Sequence, residues 1–350
     1  MKSRRTYKEY IRFKTYFILL LGAATALTAL LAVSAGSAGL SLTEVVATLL
    51  GYGSEQQSIV VFNIRMPRVV TAIVAGIGLA TVGCVMQSIL RNPLASASTL
   101  GIAQGAAFGA SFAIIVLGAG MQNQTLDGVT ISNPYLVSAC AFVSAMMSTF
   151  IVLGLSHFNK VSPESMVLSG VALSTLFSGA TTLLQYFAAD VKVAAVIFWT
   201  FGDLGRTSWN EVIIMSVVVA AALLYFAFNR WNYNALQNGE ETAKGLGVYV
   251  ERMRLMGMFI CSLTASTIVS FVGIINFIGL IAPHLVRRCI GSDYRYLLPS
   301  SALMGALLLL FSDTAARLAV APVILPIGAI TSFLGAPLFL YLLFKGVGTR

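Results

Sequence analysis

Residues 255–286 read LMGMFICSLTASTIVSFVGIINFIGLIAPHLV, 32 consecutive positions without an acid, a lysine or an arginine. A membrane-spanning helix needs about 20 mostly apolar residues, so this stretch is too long for one span and too short for two full ones. It predicts one full helix over 255–275, followed by a short, partly buried helix over 277–290. A broken element of this kind is tolerated at membrane depth only where it packs against protein.

The composition of the whole chain also indicates a membrane protein. Hydrophobic residues make up 57 % of the 350 positions and charged residues only 10 %, against roughly 45–50 % and about 25 % in an average soluble domain. A soluble fold could not cover its surface with so few charges. The net charge of +9 does not indicate nucleic-acid binding, because no basic patch lies on a soluble domain. The chain is predicted to be an all-α polytopic membrane protein.

The chain contains ten apolar segments, and we expect these to form one transmembrane domain over residues 1–350. A basic cytoplasmic arm is expected at 1–16 and a cytoplasmic loop at 229–254. The predicted spans are 17–35, 68–90, 99–118, 135–157, 165–188, 209–228, 255–275, 277–290, 297–320 and 327–345.

The distribution of positive charge orients these spans, because cytoplasmic loops are enriched in lysine and arginine. With ten spans and both termini in the cytoplasm, all but five of the 22 lysines and arginines lie inside. The five exceptions are Arg65, Arg68, Lys192, Arg206 and Arg317.

Small and ionisable residues within the spans suggest packing rather than chemistry. Gly101, Gly105 and Gly109 form GxxxGxxxG, which places all three on one helix face for close helix packing. Asp313 stands alone inside a span, with Arg317 four residues later on the same face. This spacing favours a local ion pair over a proton relay.

The chain lacks the motifs of an enzyme. Gly-Lys never occurs, so a phosphate-binding loop that could hold ATP is impossible. The two histidines, His157 and His284, lie in different segments, and the four scattered cysteines contain no CxxC. We therefore expect no catalytic residue, no metal site and no cofactor. A conduit without an energy source either equilibrates its solute or uses the energy of a partner.

The loop at 229–254 favours an energy-supplying partner. Its core, NGEETAKGLGV at 238–248, predicts a short helix closed by glycine at Gly245 or Gly247. A short folded helix on a cytoplasmic loop is a docking element, although the charge content of the loop fits a merely solvated segment equally well.

Motifs throughout the chain resemble one family, the permeases of vitamin B12 and ferric-siderophore ABC importers, known as type II importers. The matching residues are Arg65-Met66-Pro67-Arg68, Gln87 with Arg91-Asn92-Pro93-Leu94-Ala95, Thr99-Leu100-Gly101 with Gly105-Ala106, Trp199 with Gly202 and Trp209, Gly239-Glu240 with Ala243, Leu246 and Gly247, Phe277-Ile278-Gly279-Leu280-Ile281-Ala282-Pro283-His284 with Arg287, Leu297-Leu298-Pro299, Asp313, Ala316-Arg317, Pro326-Ile327-Gly328 and Gly335-Ala336-Pro337. The match runs from about Phe17 to the C-terminus.

The resemblance implies the type II importer permease fold, with ten helices per subunit in the cytoplasmic (inner) membrane of a prokaryote. It implies a homodimer, two ATP-binding cassette subunits, a soluble or lipid-anchored substrate-binding protein and surrounding membrane lipid as partners. The fifth and tenth helices would line the pathway along the dimer axis, here 165–188 and 327–345. The implied pathway residues are Ser169, Gly170, Ser174 and Ser178.

The resemblance also implies two docking sites. Gly239, Glu240, Ala243, Leu246 and Gly247 would sit in a groove of the ATPase. At the opposite end, three residues would meet acidic residues of the binding protein: Arg65, Arg68 and Arg317. Ile324 departs from the family, which often has an acid there.

The cargo stays open at this point, between a corrinoid, a ferric siderophore, haem and another chelate or oxyanion. Two other functions also stay open. One is an ion-coupled secondary transporter, for which Asp313 is the only candidate ion site. The other is a channel-like or structural membrane protein without an energy partner.

Overall fold

The computed structural model describes residues 7–36, 40–122, 129–131, 133–159, 162–321 and 323–347. These residues form fifteen α-helices, two short strands and three short helical turns of other types. The helices are α1 (Tyr7–Ser34), α2 (Leu42–Leu49), α3 (Glu55–Ser58), α4 (Met66–Ile89), α5 (Ile102–Ile115), α6 (Pro134–Asn159), α7 (Pro163–Tyr186), α8 (Asp190–Thr200), α9 (Trp209–Phe228), α10 (Arg230–Gln237), α11 (Glu240–Gly245), α12 (Val250–Val272), α13 (Ile278–Ile290), α14 (Tyr294–Leu318) and α15 (Ile327–Val347).

The three turns are a π-helical turn at Ile59–Arg65 and 3₁₀ turns at Ala97–Leu100 and Leu204–Arg206. The strands β1 (Gly120–Gln122) and β2 (Val129–Ile131) pair antiparallel beyond the end of α5. The sequence pattern did not predict this hairpin, because three residues per strand are too few for a periodic signal.

Each of the ten predicted spans overlaps a helix. Seven helical segments of the described chain are long and apolar enough to cross a membrane, while α5 and the apolar part of α15 are shorter. Ten crossings and cytoplasmic termini therefore stay predictions. The arm expected over residues 1–16 is helical from Tyr7 onward and continuous with α1, and its first six residues lie outside the described part.

The segment between the first two spans is also mostly helical. Ser41 caps α2, with Glu44 bonding back to the Ser41 backbone, and Ser54 caps α3 through the same reciprocal arrangement with Gln57. This S-x-x-E/Q pattern satisfies two backbone N–H groups at a helix start. The caps explain why short helices form in a stretch that hydropathy alone leaves as a loop.

The core of the bundle is built around α4. This helix lies along α14 and also contacts α9, α12 and α13, while α5 packs against α6 and α7. Glycines allow the closest approaches: a Cβ on Gly76 would lie 2.5 Å from the carbonyl oxygen of Gly305, and a Cβ on Gly83 would overlap the backbone of Gly279. The helices therefore meet backbone to backbone.

The long uncharged stretch at 255–286 is broken as predicted. Helix α12 ends at Val272 and is capped by Gly273, which has a φ of 80°, and α13 begins after Phe277, a non-glycine residue with a φ of 66°. The 13-residue α13 is half buried and packs against α4 and α14. The prediction of one full helix followed by a short, partly buried one is confirmed.

Three helix ends meet at this break. The backbone N–H of Asp203 donates to the carbonyl of Val272 at 2.8 Å, and that of Gly328 donates to Phe201 at 3.0 Å. A Cβ on Gly273 would lie 2.6 Å from the carbonyl oxygen of Trp199. The end of α12, the segment after α8 and the start of α15 thus form one hydrogen-bonded joint, which we call the glycine joint.

Candidate docking and transport sites

A buried cluster of charges joins α4 and α14 at the end predicted to be outside. Asp313 is fully buried and accepts from the Nε of Arg68 at 2.9 Å and from the Nε of Arg317 at 3.0 Å. Asp203 adds a weaker contact, 3.8 Å from Arg68. The local pair predicted from the i, i+4 spacing is confirmed, and Arg68 is a second partner from another helix that spacing could not identify.

The arginines of this region also hold the C-terminal end of α1. Arg65 donates to the carbonyls of Val33 and Ser34 at 2.8 and 3.0 Å, and Arg317 donates to those of Ala32 and Ala35. Cations are favourable at a helix C-terminus, where carbonyls lack helical partners. The guanidinium groups therefore connect α1 to α4 and α14.

Docking of a binding protein to Arg65, Arg68 and Arg317 stays a prediction. The exposed fraction is 6 % for Arg65, and for the side chains of Arg68 and Arg317 it is 11 % and 8 %. Each arginine already has partners inside the chain. Direct contact with acids of another protein would require these side chains to exchange partners.

The 229–254 loop folds into α10, α11 and the first turn of α12. Glu240 at the start of α11 forms an ion pair with Arg254 of α12, with 3.1 Å between the charged atoms. The short helix ends at Gly245, and Gly247 has a φ of 82°, which closes it in the left-handed region. Hydrogen bonding to Glu241 raises the pKa of Lys244. The predicted helix exists, and an ion pair fastens it to a long helix.

The three-residue spacing of Ala243 and Leu246 predicts that they are neighbours on one apolar face of this short helix, and the structure differs from that prediction. Ala243 is fully buried within the chain, while Leu246 is 68 % exposed and Tyr249 is 82 % exposed. Ala243 and Leu246 therefore do not present one common outer surface. Spacing alone placed both on one side, but Leu246 follows the last helical residue, where the chain turns.

Helix α7, the fifth predicted span, is the most exposed of the long internal helices. Ser178 is exposed, and Ser169 and Ser174 are half buried. Ser174 donates to the carbonyl of Gly170 at 2.9 Å, and Gly170 is buried against the backbone of Thr99 and Leu100. Gly170 thus occupies a helix contact, whereas Ser178 is exposed, and the pathway role of these four residues stays a prediction.

An exposed apolar stripe runs along α15, the tenth predicted span. Phe333, Leu340 and Phe344 are 79 %, 53 % and 77 % exposed. On α7, Leu168, Leu176 and Leu183 are between 63 % and 71 % exposed. The sequence could not distinguish these residues from core residues, because both are apolar at helical spacing.

The GxxxGxxxG glycines lie close to α6, although they do not all lie within one helix. Gly101 has a φ of 77° and precedes α5 as its cap. A Cβ on Gly105 would lie 2.9 Å from the carbonyl oxygen of Ser144, and a Cβ on Gly109 would overlap the carbonyl of Cys140. The expectation of one helical face is wrong at Gly101, because the left-handed turn comes there.

Metal-ligating side chains do not cluster in the part of the chain that the structure describes. No group of three or more His, Cys, Asp and Glu side chains there could hold a metal ion. His284 contacts the Phe339 ring, with 6.1 Å between the ring centroids. His157 lies in α6.

These features define a multi-pass membrane protein with tightly packed helices and a short helix fastened to one end of the bundle. Residues 24–345 match the FecCD transport family. The chain is 51 % identical over 345 residues to an ABC transporter permease protein of Methanocaldococcus jannaschii, and the match covers 99 % of each protein. It is 35 % identical to the hemin transport system permease protein of Yersinia pestis, over 81 % of this chain and 82 % of that relative.

A solved structure gives the same result for the fold. It is described as a metal-chelate type ABC transporter in an inward-facing conformation, and it matches with a TM-score of 0.83 at 29 % identity. The match covers 95 % of this chain and 99 % of that one. The chain belongs to the FecCD transport family.

Proposed function

We propose that this protein is the permease subunit of an ATP-driven, binding-protein-dependent importer in the cytoplasmic membrane of a prokaryote. The observation that carries the proposal is the short helix α11, which the Glu240–Arg254 ion pair fastens to α12 and beside which Leu246 is exposed. An exposed apolar side chain next to a rigid helix suits insertion into a groove of a partner. The permease is the non-catalytic subunit, and ATP hydrolysis belongs to the partner.

The cargo we propose is a metal chelate. The curated relatives carry names that refer to hemin, a siderophore, ferric citrate and cobalamin, so they share a bulky metal complex rather than one chemical group. The small and hydroxyl side chains of Ser169, Ser174 and Ser178 on α7 support weak contacts with such a cargo. Weak contacts allow release, because tight binding on the pathway would slow it.

An ion-coupled secondary transporter is the second candidate, and the charge cluster argues against it. Asp313, the residue that such a carrier would use, is fully buried, and both of its carboxylate oxygens accept from guanidinium groups. Charge-assisted hydrogen bonds of this kind are the strong ones. A proton or a cation would therefore have to displace an arginine from a buried position before it could bind.

Leu246→Asp tests the energy partner. We expect the variant to insert normally but to lose association with the ATPase subunit, because a charge would have to be buried in an apolar groove. Leu50→Asp is the matched control, since Leu50 is 69 % exposed in the segment predicted to lie at the opposite end. The measurement is the yield of ATPase that co-purifies with each tagged permease. Equal yields for wild type and Leu246→Asp would refute a docking role for this loop.

The exposed stripe on α15 supports a homodimer as the working form. We expect Phe333→Ala combined with Phe344→Ala to weaken dimerisation at least tenfold, about 1.4 kcal/mol, because two large side chains leave the contact. Leu19→Ala combined with Leu20→Ala on the peripheral helix α1 is the control, since these leucines are 62 % and 65 % exposed. Light scattering in detergent at decreasing protein concentration reports the dimer. Equal dissociation of both double variants would exclude this face.

A further inference from the structure

Three cations and three aromatic rings alternate across α10, α14 and α1 at the end of the molecule that carries α11. The guanidinium carbons of Arg230 and Arg295 lie 5.9 and 5.2 Å from the centre of the Trp231 ring. Arg295 is also 5.6 Å from the centre of the Tyr296 ring. The ammonium of Lys14 lies 5.0 Å from Tyr296 and 4.3 Å from Tyr10. We call these six residues, Arg230, Trp231, Arg295, Tyr296, Lys14 and Tyr10, the rim ladder.

The rim ladder concentrates positive charge. Asp293 pairs with Arg295 at 2.7 Å. Burial raises the pKa of Asp293, but hydrogen bonds from Arg295 and Asn234 outweigh it and hold that pKa below its usual value. On α1, on α10 and over residues 293–296, the elements that carry the rim ladder, the acids are Glu9 and Asp293. The cations are Lys8, Arg12, Lys14, Arg230 and Arg295. A surplus of positive charge therefore stays at this rim.

The rim ladder is accessible from the side of the bundle. Trp231 is 56 % exposed, Tyr10 is 43 % exposed, and the side chain of Arg295 is 39 % exposed. Arg230 is also exposed, whereas Lys14 is buried behind the rings, so the two arginines are the cations that a ligand can reach. Two exposed aromatic residues lie two positions along the chain from rim-ladder residues: Phe228 before Arg230 and Tyr16 after Lys14, and they are 83 % and 67 % exposed. Aromatic rings beside basic residues at the end of an apolar span are typical of the membrane–water interface.

We propose that the rim ladder binds the phosphate of an anionic phospholipid in the cytoplasmic leaflet. Basic clusters beside transmembrane helices recognise anionic headgroups, and arginine presents planar donors that match phosphate oxygens. Contacts with the Trp231 and Tyr296 rings and the ion pair with Asp293 hold the Arg295 guanidinium in place, so less conformational entropy is lost when a headgroup binds. The rim ladder lies at the ends of α1 and α14, two helices long and apolar enough to cross a membrane, and this favours a lipid over a soluble partner.

The first experiment measures lipid retention by the purified full-length permease. The protein is equilibrated with equal amounts of phosphatidylglycerol and phosphatidylcholine in detergent, and the bound lipids are quantified by native mass spectrometry. We expect preferential retention of phosphatidylglycerol. Excess inorganic phosphate is then added; a lipid site keeps its phosphatidylglycerol, whereas a site for free phosphate releases it. Equal retention of both lipids, or full displacement by phosphate, would overturn the proposal.

Variants assign the preference to the rim ladder. Arg230→Gln with Arg295→Gln should lower the preference for phosphatidylglycerol by at least about tenfold, since each basic residue near an anionic surface contributes several-fold in affinity. The control, Lys8→Gln with Arg12→Gln, removes the same charge from α1 outside the rim ladder and should keep most of the preference. Equal losses in both double variants would refute a specific site.

Two further measurements distinguish a lipid site from a folding defect and from a protein contact. Arg230→Lys with Arg295→Lys keeps the charge and tests folding; it should retain more of the preference than the glutamine pair. Co-purification with the ATPase reports a protein contact. If the glutamine pair loses the ATPase in detergent while lipid retention is unchanged, the rim ladder is a protein-docking surface and the proposal is wrong.

Discussion

Asp313→Asn should destabilise the protein by about 3–5 kcal/mol, the usual cost of removing one partner from a buried ion pair. Asparagine keeps the shape of the side chain but removes the charge, so the guanidinium groups of Arg68 and Arg317 would face each other without an anion between them. Because Arg317 also holds the carbonyls of α1, we expect α1 to separate from α4 and α14 early in unfolding.

Thermal unfolding in detergent, followed by the accessibility of native cysteines, measures this effect. Asp203→Asn is the control: Asp203 is 3.8 Å from Arg68 and its side chain is 47 % exposed, so we expect a loss within about 1 kcal/mol. Adding Arg317→Gln to Asp313→Asn removes one uncompensated charge and should restore part of the stability. An Asp313→Asn protein as stable as the Asp203→Asn protein would show that the charge cluster does not hold α1, α4 and α14 together.

Gly83→Ala should prevent stable folding, although alanine is the better helix former by about 1 kcal/mol. The added methyl group would overlap the backbone of Gly279 in α13, and a backbone cannot move aside as a side chain can. Overpacking a core against side chains costs typically about 1–3 kcal/mol, and here α4 and α13 must separate along their contact. We expect most of the protein to be lost from the monodisperse fraction in size-exclusion chromatography.

Gly154→Ala is the matched control, because Gly154 also lies inside a long helix, α6, and a Cβ there meets no atom within 4 Å. Here helix propensity acts alone, so stability should be unchanged or slightly higher. If the same glycine-to-alanine change lowers stability at Gly83 but not at Gly154, the backbone contact of Gly83 is the cause. A well-folded Gly83→Ala protein would show that α4 and α13 are further apart than in this structure.

The sequence predicted where the helices lie because hydropathy and charge act locally. The break after α12 follows from the length of an uncharged run, and the pair of Asp313 and Arg317 follows from their spacing. The contact between Gly83 and Gly279 could not be predicted, because residues almost 200 positions apart become neighbours only through packing. For the same reason, the sequence could not identify Arg68 as a partner of Asp313.

Exposure was the property that the sequence predicted least well. Ala243 and Leu246 have the same apolar character, yet one is buried and the other is 68 % exposed. The family resemblance implies a docking role for Arg65 on the outer face, but neither charge nor a motif reveals whether a side chain turns inward to cap a neighbouring helix. In a bilayer the outer surface is as apolar as the core, so composition cannot separate the two.

Helix α12 is attached at both of its ends. Near its start, Arg254 is paired with Glu240 of the short helix α11, and at its end Val272 and Gly273 belong to the glycine joint, from which α15 begins. Its 23 residues make a rod of roughly 35 Å. A straight helix held at both ends transmits an axial displacement from one end to the other. We therefore expect a displacement of α11 that exceeds what its ion pair can absorb to reach the first turn of α15.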